Sequence, residues 1–192
     1  MSRPLVILDR DGVINRDSHT YIKHQDEWIP LAGAVDAIAR LSNAGYDVAI
    51  ATNQSGVARG LIPLEELEAM HARMVSLVEA AGGHIAHIAY CPHGPDDACR
   101  CRKPLPGMLH HIAQALGKSD LSDAWMVGDS LRDLQAGEAA GTHLALVLTG
   151  NGHDTQSALS TLTTADAVWV CDDLADFVAR LLATAQGASA SE

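Results

Sequence analysis

Leu5-Val6-Ile7-Leu8-Asp9-Arg10-Asp11-Gly12-Val13-Ile14-Asn15 is the stretch that decides the fold. Four apolar residues between Pro4 and a charged cluster predict a short strand buried on both faces, as in a parallel sheet. The strand runs into two carboxylates, Asp9 and Asp11, and Gly12 then allows a sharp turn. In doubly wound α/β folds ligands bind beyond the carboxyl ends of the strands, so both acids should face a site. Two acids one residue apart suit metal-assisted chemistry in which one attacks and the other moves a proton. Taken alone, such a pair more often marks a solvated turn after a strand.

Downstream, the pattern alternates between helix and strand. Arg16 to Pro30 is polar and irregular, a loop long enough beside a strand end to carry function. Val35, Ile38 and Leu41 mark a helix that begins at Ala34 and stops at Gly45. Val48–Ala51 is a second strand, and Leu64 to Val78 keeps helical spacing behind Pro63. Met70 and Met74 in that helix read as core packing. Ile85–Tyr90 is a third strand, and a Cys- and Pro-rich loop from Cys91 to Pro106 leads into a helix ending near Leu116. Strands at Trp125–Val127, Leu144–Leu148 and Val168–Val170 flank a helix over Leu131–Ala140, and a last helix covers Leu174–Ala183. The expected fold is therefore one α/β domain, residues 1–185, with a doubly wound, mainly parallel sheet and a frayed tail at 186–192.

Composition narrows the function. A chain of 192 residues with 47% hydrophobic content can build one sizeable core. A net charge of −11 argues against nucleic acid or an anionic membrane surface as partner. No apolar run approaches the roughly 18 residues of a membrane span, so the cytoplasm is the expected location; separately, a monomer is expected. Its four cysteines then read as metal ligands or core residues rather than disulfides.

Several strands end in polar residues: Asp9, Thr52, Cys91 and Asp129. In a parallel sheet those ends share one edge, where Asp9, Asp11 and Asp129 could hold Mg2+. Thr52 and Asn53 offer a hydroxyl and an amide to phosphate oxygens, and Lys103 a point charge. The set Asp9-x-Asp11-Gly12, Thr52-Asn53, Lys103 and Gly128-Asp129 resembles the four motifs of the haloacid dehalogenase-like (HAD) phosphatases, over about residues 5–150. The resemblance implies that Asp9 is a nucleophile forming an aspartyl-phosphate. Asp11 would protonate the leaving alcohol and then activate water, Thr52 and Lys103 would steady the phosphoryl group, and Asp129 would help hold Mg2+.

A second constellation is Cys91-x-His93 with Cys99-x-Cys101. Three thiolates and an imidazole in a loop rich in Pro, Asp and Arg match a closed tetrahedral zinc site of structural type. Its last ligand immediately precedes Arg102 and Lys103, so the metal would fix two cations beside the phosphate. Cys171 reads as core.

This loop, with Thr52–Gly60 and the run Cys101-Arg102-Lys103-Pro104, resembles the branch of the family that holds the D-glycero-D-manno-heptose 1,7-bisphosphate 7-phosphatases and the histidinol-phosphate phosphatases. The heptose enzymes fit the Thr52–Gly60 run better. By that resemblance Gln54, Ser55, Arg59, Arg102 and Ser130 contact substrate, and the loop Asp17–His19–Thr20–Tyr21 covers the sugar. The reaction so implied is Mg2+-dependent removal of the 7-phosphate from a small sugar bisphosphate, on the route to nucleotide-activated heptose for lipopolysaccharide or other surface polysaccharide. The chain between Asp9 and Thr52 has room for a loop and a helix but no cap domain, so loops must shape the pocket. The rivals are a histidinol-phosphate phosphatase and, in another class, a phosphoacceptor signalling module. Trp28 is read as packing, His110 and His111 as unrelated helix positions, and Asp133 as divided between a role behind the metal and a solvated helix start.

Overall fold

The computed structural model describes residues 3–189. Six parallel strands form one sheet: β1 (Leu5–Leu8), β2 (Asp47–Asn53), β3 (His87–Cys91), β4 (Trp125–Gly128), β5 (His143–Val147) and β6 (Trp169–Cys171). Their order is β3-β2-β1-β4-β5-β6. The chain winds outward from β1 through β2 to β3, then returns to lay β4 on the free side of β1. That reversal opens a crevice at the carboxyl ends of β1 and β4, where an α/β sheet binds ligands.

All four residues of β1 are buried, as the unbroken apolar run requires. Alternate side chains serve opposite layers. Val6 and Leu8 join Ile38 of α1 (Ala34–Asn43), Leu67, Met70 and Met74 of α2 (Leu64–Ala80) and Phe177 of α6 (Leu174–Ser189). Leu5 and Ile7 join Leu109 and Ile112 of α3 (Gly107–Ala115) and Leu134 of α4 (Leu131–Ala140). Trp28 and Cys171 lie in the first of these cores, and Met70 and Met74 pack there as read from sequence.

The differences from expectation are local. The β2 ladder extends to Thr52 and Asn53 because these pair with Tyr90 and Cys91 of β3, so both polar residues belong to the strand. β3 begins at His87 and ends at Cys91, shifted forward from the expected Ile85–Tyr90. A short helix, α5 (Gly152–Gln156), follows β5 where no element was anticipated. α6 runs through Ser189, so 186–189 is helical where a frayed tail was expected; 190–192 lie outside the described residues. Among the described residues no helix is long and apolar enough to cross a membrane.

Candidate active site

Asp9 follows β1 directly, and its backbone N–H donates to Val127 O (2.9 Å), carrying the β1–β4 pairing one residue past the strand. Gly12 then turns the chain at φ +85°, and a Cβ there would run into the Asp129 carboxylate. The turn thus both demands a left-handed residue and lets the β1 and β4 ends close on each other. Asp129, the residue after β4, is 2% exposed, and Asp9 is 9% exposed.

Lys103 reaches this point from the Cys-rich loop and is buried at 1% exposure. Its ammonium spends its three protons on Asp9 Oδ1 (2.9 Å), Asp133 Oδ1 (2.7 Å) and Ala51 O (2.6 Å). Burial works against its charge, but the Asp133 and Asp9 carboxylates outweigh it and raise the lysine pKa above the ordinary value. The Lys103 backbone is clamped by Asn53, which accepts from Lys103 N (3.1 Å) and donates through Nδ2 to Lys103 O (3.0 Å). Asn53, expected to meet phosphate, thus has a positioning contact from the end of β2. Asp133 is equally constrained: its Oδ2 accepts from the N–H (3.0 Å) and hydroxyl (2.8 Å) of Ser130, capping α4. Of the two readings open for Asp133 in the sequence, the solvated helix start is excluded by its 1% exposure.

Asp11 faces a different set of partners. Its carboxylate accepts from Arg10 Nε (3.0 Å to Oδ1) and Nη2 (3.0 Å to Oδ2), Asn15 Nδ2 (2.8 Å) and Gln54 Nε2 (2.9 Å). Arg10 is fully buried, and its other arm lies 3.3 Å from Nε2 of His71 on α2. Burial pushes the Asp11 carboxyl up, but Arg10 and the hydrogen bonds from Asn15 and Gln54 outweigh it, so its pKa falls below the usual range. For His71, burial and the Arg10 charge act together and lower the imidazole to about 3.

Asp9, Asp129 and Asp133 each place a carboxylate oxygen within 4.8 Å of the others. Of the expected Asp9–Asp11–Asp129 set, Asp9 and Asp129 lie in this cluster with Asp133, while the Asp11 side chain is turned to Arg10. Three buried carboxylates against the single ammonium of Lys103 leave an excess of two negative charges. The strain is visible in the acids themselves. Burial, with Asp133 behind it, lifts Asp9 well above the ordinary value against the pull of Lys103, and lifts Asp129 to about 7. A hard divalent cation with oxygen ligands fits that donor set and that charge. Both oxygens of Asp133 are engaged by Lys103 and Ser130, which leaves Asp9 and Asp129 as the residues that would hold it.

A cavity of about 350 Å³ opens over these groups. Of the residues expected to contact substrate, Asp17, His19, Tyr21, Thr52, Asn53, Gln54, Ser55, Arg59, Arg102 and Ser130 line it. Thr20 does not: it lines a separate outer groove, and its hydroxyl lies 3.1 Å from that of Ser18. Thr52 Oγ1 accepts from Gln54 Nε2 (2.9 Å), which aims the hydroxyl into the site. Arg59 stands over the Tyr21 ring at 6.0 Å, and Arg102 Nη1 donates to His93 O (3.3 Å). Sequence reasoning missed Arg132 and Asn151, which also line the cavity, as well as Arg10 and His71 behind it. A signal existed for His71, a polar residue on the apolar face of α2.

Cys91, His93, Cys99 and Cys101 bring their ligand atoms within 4.8 Å of one another. The Cys91–Cys99 sulfurs are 3.8 Å apart and the Cys91–Cys101 sulfurs 3.2 Å, at and somewhat inside the edge of about 3.8 Å that a tetrahedron with Zn–S bonds near 2.3 Å would have. Burial and the neighbouring Cys101 push the Cys91 thiol up to about 12. The donor set and spacing therefore fit a closed zinc site.

The HAD-hydrolase-like family model matches residues 100–177. A protein of Pseudomonas aeruginosa named D-glycero-beta-D-manno-heptose-1,7-bisphosphate 7-phosphatase is 60% identical over 152 residues, 79% of this chain and 85% of its own length. The Bordetella bronchiseptica protein of the same name is 50% identical over 180 residues, covering 93% of this chain and 97% of that one. Among solved structures, the D,D-heptose 1,7-bisphosphate phosphatase of B. bronchiseptica complexed with magnesium and phosphate superposes with a TM-score of 0.88 at 49% identity, over 94% of this chain and 99% of that one. The corresponding phosphatase of Burkholderia thailandensis gives 0.71 at 41% identity, over 94% and 99%. With a six-stranded parallel sheet, an acid cluster at its crevice and relatives this similar over most of its length, the chain belongs to the HAD-like hydrolase family, in the branch of proteins named D-glycero-beta-D-manno-heptose-1,7-bisphosphate 7-phosphatase.

Proposed function

We propose that this chain is a Mg2+-dependent phosphatase that hydrolyses the 7-phosphate of D-glycero-D-manno-heptose 1,7-bisphosphate. The observation that carries the reading is Asp9, a buried carboxylate at the floor of the cavity, held by Lys103 and set beside Asp129. The relatives' shared name favours the heptose over histidinol phosphate, and its beta form is the anomer we assign. Charge agrees. Arg59, Arg102 and Arg132 line the mouth, where they attract a second phosphate and repel the amine of histidinol phosphate.

The chain's own residues divide the work. One Asp9 oxygen attacks phosphorus as the bond to the sugar oxygen breaks, and Asp11 gives that oxygen a proton. A phosphate dianion arriving beside Asp11 raises its proton affinity, which the Arg10 pair otherwise holds low. Asp11 then takes a proton from the water that attacks the aspartyl-phosphate, releasing inorganic phosphate and restoring Asp9. Thr52 holds a phosphoryl oxygen in place, and Lys103, its protons given to Asp9, Asp133 and Ala51, supplies positive charge beside the transferring group. Mg2+ held by Asp9 and Asp129 would supply the remaining positive charge at the transferring group. Zn2+ in the Cys91–His93–Cys99–Cys101 set fixes the loop that delivers Arg102 and Lys103. We place the enzyme in the cytoplasm as a monomer, on the route to nucleotide-activated heptose.

The test is phosphate release from both anomers of the heptose bisphosphate and from histidinol phosphate. The β-bisphosphate should lead histidinol phosphate in kcat/KM by at least about tenfold, equivalent to about 1.4 kcal/mol. Equal rates, or a preference for histidinol phosphate, would overturn the reading.

A further inference from the structure

Asn151, at the corner between β5 and α5, touches both halves of the site. Its backbone N–H donates to Asp129 Oδ2 (2.8 Å), and its side-chain Nδ2 donates to the same oxygen (3.1 Å). The same nitrogen lies 3.1 Å from Asp17 Oδ2. A carboxamide nitrogen carries two protons, so it can give one to each carboxylate. Both donors on Asp129 fall on Oδ2, which leaves Oδ1 for a cation.

The corner is built to hold that position. Thr149 Oγ1 donates to Gly12 O (2.6 Å), and Thr155 Oγ1 donates to Asp129 O (2.8 Å). Gly150 adopts φ +57°, and a Cβ on it would strike the Asp129 carboxylate and come within 2.7 Å of Gly12 Cα. On the other side, Asp17 is exposed and begins the loop over the cavity. Among the described residues, its bond to Asn151 is the only hydrogen bond from residues 17–20 to chain outside the Arg16–Pro30 loop. Beyond that bond the loop is held beside the cavity by Tyr21, a non-glycine residue at φ +66° whose ring packs against Gly56, and by Ile22, which is buried in the core. The neutral amide stands between the two carboxylates and donates to both.

We propose that Asn151 is a positioning residue that holds Asp129 for the divalent cation and, through the same amide, ties the Asp17–Tyr21 loop to that cation site. The inference rests on the reading of Asp129 as a Mg2+ ligand. Cation affinity and loop order are then linked, and each acts on the other.

Two measurements without substrate test it: Mg2+ binding by calorimetry, and the rates of tryptic cleavage after Arg16 and Lys23, which flank the loop. Asn151→Ala should weaken Mg2+ binding about fivefold and quicken both cleavages about threefold, the scale of one lost hydrogen bond. Asp17→Ala should quicken cleavage equally and weaken Mg2+ binding by about twofold, the smaller share that passes through the loop rather than through the Asn151–Asp129 bonds. In that background Asn151→Ala should add nothing to cleavage and still weaken Mg2+ binding. Asp17 is exposed, so its variant reads the loop tie even if Asn151→Ala fails to fold. A change in only one of the two readouts for Asn151→Ala, or in neither, overturns the bridge while leaving the proposed function standing. A wild-type protein that binds no Mg2+ overturns both.

Discussion

Lys103 Nζ lies 2.7 Å from Asp133 Oδ1, with both side chains 2% exposed. Asp133 is therefore the fixed end of the lysine's reach: the cap that Ser130 places on it sets where the ammonium can meet Asp9. Removing one partner of such a pair leaves a buried charge and costs about 3–5 kcal/mol. Asp133→Asn keeps the shape and one acceptor, so we expect a folded protein with kcat down by at least about tenfold. A melting curve and a kcat measurement on the same preparation check this. Wild-type kcat in a folded Asp133→Asn protein would remove the lysine from that dependence.

Asp9→Asn should abolish turnover, because an amide does not attack phosphorus. Asp11→Asn should leave Mg2+ binding largely intact, since its carboxylate is directed to Arg10 rather than to the acid cluster. Steady-state phosphate release together with calorimetric Mg2+ titration separates the two. Near wild-type release by Asp9→Asn would mean that another group is the nucleophile.

Removing the metal from the Cys–His set, by chelation or by Cys99→Ser, should loosen the Cys91–Lys103 loop while the sheet persists. Arg102 and Lys103 would lose their setting, so KM should rise and kcat fall, with the far-ultraviolet circular dichroism unchanged. Metal analysis of protein purified without chelators should find about one zinc per chain. Finding none would dismiss the site.

His71 gives stability a pH dependence of known sign. Its folded pKa is near 3, whereas an unfolded histidine titrates near the ordinary 6.5. Between those values the unfolded chain binds the proton and the folded one does not. The contribution is whole above pH 6.5 and declines as pH falls toward 3, by about 1.4 kcal/mol per pH unit. Urea midpoints at pH 7 and 4.5 should differ more for the wild type than for His71→Gln, whose Oε1 can still accept from Arg10. Equal shifts in the two proteins would assign the acid sensitivity elsewhere.

What the sequence made legible was whatever depends on chain order. Asp9, Thr52, Cys91 and Asp129 mark strand ends, and a parallel sheet brings strand ends to one edge. The metal-ligand spacing of the Cys–His loop was equally readable, being local. Pairings set by side-chain direction were not. Asp11 sits two residues from Asp9 yet turns to Arg10, and nothing in D-x-D spacing tells which way the second acid points. Asp133, Arg10 and His71 act through partners up to 61 residues away, which periodicity does not register. α5 was missed because Gly-His-Asp-Thr-Gln has no apolar stripe. α6 runs through 186–189, where a frayed tail was expected, and good helix formers such as Ala183 and Ala185 in its later turns favour that continuation.

The strand order also governs when the site can exist. β1, β2 and β3 are made first and can pair with one another as they leave the ribosome, but the neighbour on the other side of β1 is β4, at Trp125–Gly128. Asp9 must therefore wait for two-thirds of the chain to be synthesised before Asp129 arrives beside it. Domains gather around contacts that are available as translation proceeds. A truncated or stalled product ending before β4 holds Asp9 without Asp129 and Asp133.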